Sequence, residues 1–266
     1  MHGMEVDYYK KLFQTIGNII KLIEKDDMPK YLLFLENAFP YMDNYNYHKG
    51  MKGIIQELKV LLKTKSIGTN SDRALLLDFQ ATLEIKPEKA IKLEKDALAQ
   101  IENITADNAR LVSNLHANLG GLYRMNGHPD LAREHMEKSI SLLDQFNLLH
   151  INDSIPQIAN YAMFLTEQQE PERGISELQK LSGIIKEYHS DDCLDYAKVQ
   201  ETLGTIYLMT ANLPQAKTHF KRAFKIYEKI WADEPEMIEA KYQEIQELYP
   251  QIGFCIGKNL SGLLTK

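Results

Sequence analysis

The feature that most constrains the fold of this chain is a set of four prolines spaced by 42 or 43 residues. They are Pro87, Pro129, Pro171 and Pro214. Proline is costly inside a helix but tolerated in its first turn, so a proline followed by helix-forming residues predicts a helix start. Apolar residues at helical spacing follow each proline. The sequence therefore predicts four helices that begin at equivalent points of a repeat.

Small residues repeat with the same step. One set lies just inside the proline-led helices, at Ala90, Ala132, Gly174 and Ala216. A second set lies upstream, in a companion helix, at Gly120, Ala162 and Gly204. Small side chains at matched positions let two helices approach closely. Two helices per unit at this period are typical of an all-α solenoid, in which each pair buries its apolar stripe against its neighbours.

Two segments carry a recognisable pattern, LGGLYRMNGHPDLAREHMEKSI at 119–140 and LGTIYLMTANLPQAKTHFKRAF at 203–224. They resemble the tetratricopeptide repeat, and the 42-residue step is similar to kinesin light-chain-type repeats. The resemblance implies a right-handed solenoid of helical hairpins. In the second segment the six main positions of the family are filled by Leu203, Gly204, Tyr207, Ala216, Phe220 and Ala223.

The same register divides the chain into three parts. Residues 1–70 are expected to form a helical cap or a divergent repeat, with helices at about 5–26, 29–39 and 49–64. Residues 233–266 are expected to be C-terminal capping helices, whose apolar tail either closes the solenoid or packs on a second molecule as a homodimer. Four helical pairs lie between these ends, at 71–112, 113–154, 155–196 and 197–232.

The first and third of these pairs depart from the family pattern. Asp78 stands where glycine or alanine is expected, and Glu94 stands where a large apolar residue is expected. Gly174 and Leu181 occupy two small positions of the third pair. These two pairs are predicted because they fall at the 42-residue step, more than because their residues match the family pattern.

Composition excludes several partners and compartments. A net charge of -6 and a pI near 5.8 give no general attraction to nucleic acid or to anionic membrane. Cys193 and Cys255 are the two cysteines, too few and too far apart for a disulfide framework or a zinc site. The first residues do not resemble a signal peptide, so a cytoplasmic location is expected.

Catalytic and metal-binding motifs are not found. None of the eight histidines is paired at metal-ligand spacing. The segment with His189, Asp191, Asp192 and Cys193 is interpreted as a loop in which aspartates cap a helix. We therefore expect no metal, no cofactor and no enzyme activity, with a catalytic site within residues 1–70 as the alternative.

The resemblance to tetratricopeptide repeats also implies a binding surface. In that fold the leading helix of each pair lines a concave groove, and the residue two before the small position faces the groove. An asparagine there can donate to and accept from one peptide unit. The sequence thus predicts an intracellular scaffold for a protein or peptide, with a peptide-sensing bacterial regulator as an alternative. The predicted groove residues are Asn114, Asn118, Asn160, Met163, Lys198 and Thr202.

Overall fold

A computed structural model describes residues 28–44, 47–64, 68–151 and 154–248, and this part of the chain contains helices and turns but no strand. The sequence-predicted helix at 5–26 and the apolar tail after 250 lie outside the described residues. No described helix is long and apolar enough to cross a membrane. The eleven described helices are α1 (Met28–Asn44), α2 (His48–Thr64), α3 (Asn70–Thr82), α4 (Pro87–Leu98), α5 (Ala109–Met125), α6 (Pro129–Gln145), α7 (Ser154–Glu167), α8 (Pro171–Tyr188), α9 (Leu194–Met209), α10 (Leu213–Ile230) and α11 (Pro235–Leu248).

The proline rule for helix starts is confirmed. Helices α4, α6 and α8 begin at Pro87, Pro129 and Pro171, and α10 carries Pro214 in its first turn. Proline fits there because the first-turn amides have no partner inside the helix. The α3 start has no proline and is fixed instead by a capping box, in which the Thr69 side chain accepts from the backbone of the N3 residue.

A repeat feature at the ends of three leading helices has no counterpart in the residue pattern. Gly127, Gln169 and Ala211 lie 42 residues apart and all have a positive φ, of 74°, 63° and 59°. The next amide in each turn donates back to the last helical turn, for example from Asn212 to Tyr207 at 2.7 Å. This is the Schellman arrangement, which turns the chain sharply into the trailing helix.

The expected end of α1 is wrong. The sequence predicts a helix that stops at residue 39 because Pro40 follows, yet α1 continues to Asn44. An internal proline removes one helical hydrogen bond. Phe39 and Met42, on either side of it, are both buried, and Phe39 stacks on Phe79 with ring centroids 3.9 Å apart. Burial of these side chains offsets the lost hydrogen bond.

The chain divides into two compact units, Met1–Ala132 and Arg133–Lys266, here called unit 1 and unit 2. The unit 1 core gathers residues from α1 to α5, with Tyr31, Leu35 and Leu58 fully buried. The unit 2 core gathers residues from α7 to α11. Within unit 2, a Cβ at Gly174 would lie 2.6 Å from the Ala162 carbonyl oxygen, so the small-residue positions do mark close helix approach.

Candidate functional site

The predicted groove residues of unit 2, Asn160, Met163, Lys198 and Thr202, belong to the leading helices α7 and α9, which are in contact. We call the surface that these four residues define the leading-helix face. Asn160 and Lys198 are exposed, while Met163 and Thr202 are half-buried. The opposite side of the same helices forms the core, where Ala162, Leu165, Val199 and Leu203 are at most 1% exposed.

Two polar groups of this face make no close hydrogen bond or ion pair with the described residues. The Asn160 amide makes no hydrogen bond with any residue of the described chain, and Lys198 Nζ lies 3.9 Å from the nearest carboxylate oxygen, that of Asp195. Thr202 is different, because its hydroxyl donates to the Lys198 carbonyl at 3.0 Å within the helix. An amide and an ammonium group therefore remain accessible to a ligand on neighbouring helices.

Glu201, beside Thr202, has a structural role instead. Its carboxylate accepts from the Tyr227 hydroxyl at 2.6 Å and lies 2.9 Å from Lys241 Nζ. Burial together with the Glu201 charge raises the pKa of Tyr227 well above its ordinary value. Burial lowers the pKa of Lys241, but Glu201 and Glu244 raise it by more. Tyr227 and Lys241 therefore both stay protonated, as their contacts with Glu201 require. The network links α9 to α10 and α11.

In unit 1, Asn118 is exposed but its amide nitrogen is already engaged. Nδ2 donates to Asp78 Oδ1 at 2.8 Å and to Glu94 Oε1 at 3.2 Å. Asn114, one turn earlier on α5, is half-buried. The sequence predicts that Asn118 donates to and accepts from a peptide unit, whereas here both amide hydrogens are directed at carboxyl groups. Only the amide oxygen is left for a ligand.

The two carboxyl groups that hold Asn118, those of Asp78 and Glu94, are the departures of the first pair from the repeat pattern. Glu94 is 2% exposed, and its Oε2 has no hydrogen-bond partner in the described chain. Burial first, and then the neighbouring Asp78, raise the pKa of Glu94 to about 10. Burial also raises the pKa of Asp78, to about 6. The pair therefore carries a proton at pH values where exposed acids are ionised.

The register of the repeat could have revealed this pair. Three repeats further on, the equivalent positions are Gly204 and Phe220, and a Cβ at Gly204 would lie 2.9 Å from the Phe220 ring. Residues at these two positions therefore touch across the hairpin. Two polar departures at touching positions predict a hydrogen-bonded pair.

Unit 2 also has a cavity of about 490 Å³ that contains none of the predicted site residues. It lies among α6, α7 and α8, over an apolar floor that includes Ile140, Ile158 and Leu181. At its edge the buried Tyr161 hydroxyl donates to Glu137 at 2.8 Å and accepts from Arg173 at 3.2 Å. The Tyr161 ring is 4% exposed, and its hydroxyl takes part in this ion network.

No group of three His, Cys, Asp or Glu side chains is placed to hold a metal ion within the described ranges. The segment around His189 is a loop, but the expectation that its aspartates cap a helix is wrong, because the N-cap of α9 is Cys193 and no side chain caps that helix. His189 Nε2 lies 3.1 Å from the His150 carbonyl oxygen, the Cys193 thiol donates to the Ser190 carbonyl at 3.1 Å, and Asp192 pairs with Lys229. These contacts agree with the interpretation of this segment as a loop.

Comparison with known proteins identifies the repeats. A tetratricopeptide repeat family model matches residues 154–229. The crystal structure of BtubC (BKLC) from P. vanneervenii is similar, with a TM-score of 0.55 and 19% identity over 72% of this chain and 74% of that chain. A Podosopora anserina protein described as a kinesin light chain with nearly identical TPR-like repeats has a TM-score of 0.54 and 12% identity, over 74% of this chain and 96% of that chain.

At these identities the likeness shows the fold alone, and no curated protein matches the sequence. The family match and the structural likeness agree with the helix order, the 42-residue step and the close approach at the small positions. Residues 154–229 are therefore tetratricopeptide repeats, and the described part of the chain has an all-helical repeat fold similar to that of kinesin light-chain-type repeat proteins.

Proposed function

We propose that this protein is a scaffold that binds an extended segment of a partner protein on the leading-helix face of unit 2. The observation that carries the proposal is the exposed Asn160 amide, which has no hydrogen-bond partner in the described chain. An asparagine side chain offers one acceptor and two donor hydrogens, which match the N–H and C=O of one extended residue. Such a contact holds a backbone without selecting its side chains.

The surroundings of Asn160 support an extended ligand. Thr202 stands at the equivalent position one repeat later, and Lys198 places a positive charge one turn before it. Met163 is half-buried and Met209, at the end of α9, is 43% exposed. Methionine side chains adapt to different apolar partners at little cost. We infer a partner segment with apolar side chains and an acidic group near Lys198.

The remaining features of the proposal are that the protein acts without catalysis, in the cytoplasm, on protein partners and not on nucleic acid or membrane. An enzyme site near the N-terminus and a bacterial peptide-sensing role remain alternatives. The N-terminal residues 1–27 and the tail that would form a homodimer lie outside the described residues. Support for the scaffold role comes from the repeat match and from the uncommitted polar groups of the leading-helix face.

The proposal is tested with peptides selected from a random peptide library displayed on phage. Replacing Asn160 with Ala removes two hydrogen bonds of about 0.5 to 1.5 kcal/mol each, so Kd should rise about 5- to 150-fold in calorimetry. Gly183→Ala is the matched control, because Gly183 is an exposed trailing-helix residue of the same repeat with nothing within 4 Å of an added Cβ.

Asn160→Ala should melt close to the parent temperature, since the exposed Asn160 side chain is not part of the core, and Gly183→Ala should melt at or slightly above it. Equal affinities of the Asn160→Ala and Gly183→Ala variants for the selected peptides would contradict the proposal. Binding would then have to occur elsewhere, for example at the cavity beside Tyr161.

A further inference from the structure

The carboxyl groups of Asp78 and Glu94 meet between α3 and α4 of unit 1, beneath the Asn118 side chain. One nitrogen, Asn118 Nδ2, lies 2.8 Å from Asp78 Oδ1 and 3.2 Å from Glu94 Oε1. Glu94 Oε2 is buried without a donor. Two ionised carboxylates at such a site would repel each other, and Oε2 would carry a buried charge with no donor among the described residues. A proton on Glu94 removes the repulsion and supplies a donor to Asp78.

Within the described residues, no cation neutralises this pair. The charged side chain on α1 that acts on Asp78 is Glu36, which adds to the negative charge. Arg110 on α5 is directed at α1, where its Nε lies 3.8 Å from Glu36 and its Nη2 donates to Asn37 at 3.0 Å. Lys95 on α4 lies over the Tyr123 ring, 5.5 Å from its centroid. No ion pair with Asp78 or Glu94 is formed by α2 or by any other described segment.

We propose that Asp78 and Glu94 hold one proton between them at neutral pH and so fix the Asn118 amide with its nitrogen inward, leaving a partner only the amide oxygen. Asn118 stands one repeat before Asn160, whose amide is uncommitted. The two positions thus recognise different groups. With one negative charge retained below the oxygen, the Asn118 position selects a cationic hydrogen-bond donor, the ammonium of a partner lysine.

This assignment rests on the proposed function only in treating the leading helices as the binding surface. The proton itself can be measured without a partner. In the uniformly 13C-labelled full chain, the side-chain carboxyl carbon of Glu94 should keep the chemical shift of a protonated acid at pH 7. The side-chain carboxyl carbon of Glu88, which is exposed on the same helix, is recorded beside it as the control. A Glu94 carboxyl signal at the chemical shift of an ionised acid at pH 7 would overturn the proposal.

A pair of substitutions tests the orientation of the amide. Asn118→Asp replaces the inward amide nitrogen with an oxygen, which adds a third carboxylate beside Asp78 and Glu94. Hydrogen-exchange protection of α4 and α5 should therefore fall, and it should fall further between pH 6 and pH 8. Asn160→Asp makes the same change at the uncommitted position and should leave the protection of α7 unchanged. Equal losses for the two variants, or no loss for Asn118→Asp, would refute the inward orientation.

The ligand class is tested with two cations of equal charge. Methylammonium has N–H donors, whereas tetramethylammonium has none. At equal ionic strength, the Asn118 side-chain amide signals should shift with methylammonium and stay in place with tetramethylammonium. The same response to both ions, or to neither, would contradict the assignment of a cationic donor. These readouts use no library peptide, so they decide the unit 1 assignment whether or not Asn160 binds one.

Discussion

Replacing Gly174 with Ala should destabilise unit 2, although alanine is the better helix former. Gly174 lies in the first turns of α8, where an added Cβ would stand 2.6 Å from the Ala162 carbonyl oxygen and 3.2 Å from the carbonyl carbon and Cα of the same residue. These are backbone atoms of α7, which cannot rotate away. The two helices must separate, and the contacts between them are lost.

The magnitude follows from two opposing terms. Glycine to alanine in a helix interior gains about 1 kcal/mol. Overpacking costs about 1 to 3 kcal/mol, and a collision with backbone belongs at the upper end. The net loss should be about 2 kcal/mol. Gly183→Ala, in the same helix but with nothing within 4 Å, should instead gain up to about 1 kcal/mol.

The assay is urea unfolding of both variants beside the parent, followed by circular dichroism. We expect the urea midpoints of the two variants to lie on opposite sides of the parent value. Their free energies of unfolding should differ by about 3 kcal/mol. Hydrogen exchange should place the loss in α7 and α8. If Gly174→Ala is as stable as Gly183→Ala, then the close approach of these two helices is not real.

Three further predictions concern other positions. Gly204→Leu should cost about 1 to 3 kcal/mol, because its side chain meets the Phe220 ring, and an unchanged melting temperature would contradict this. Ala211→Gly should gain about 1 kcal/mol by relieving a non-glycine residue at φ 59°, and a lower melting temperature would count against the Schellman turn. The folded state retains a proton on Glu94 that the unfolded chain loses above the ordinary pKa of 4.5, so stability should fall with rising pH by up to about 1.4 kcal/mol per unit. Glu94→Gln, which mimics the protonated acid, should lack this slope between pH 5.5 and 7.5, and parallel slopes would show that Glu94 is ionised.

The helix starts and the close contacts could be predicted from the sequence, because they depend on residues with unusual physical limits. Proline fits only the first turn of a helix, as Pro87 and Pro171 show, and glycine or alanine marks close approach, as Gly174 shows. The turn that connects the two helices of a pair was harder to predict. Its left-handed residue is Gly127 in one repeat and Ala211 in another, so tertiary packing, and not residue type, sets the conformation.

The site was only partly predictable for a related reason. Register placed Asn118 and Asn160 at equivalent positions, and both are exposed. Whether an amide is free depends on what lies beneath it, and beneath Asn118 lie Asp78 and Glu94. The continuation of α1 past Pro40 likewise depends on core packing around the proline, which a local rule does not include.

The most direct test of the account is whether a bound peptide contacts the leading-helix face of unit 2. Chemical shifts of the methionine methyl groups report this in solution, since Met163 belongs to the face and the exposed Met209 follows Thr202 by seven residues on the same helix, while Met136 is 4% exposed in α6 and serves as the control. Titration with a library-selected peptide should shift the Met163 and Met209 methyl signals with the Kd found by calorimetry and leave Met136 in place. Unchanged Met163 and Met209 signals at saturating peptide would contradict the central claim.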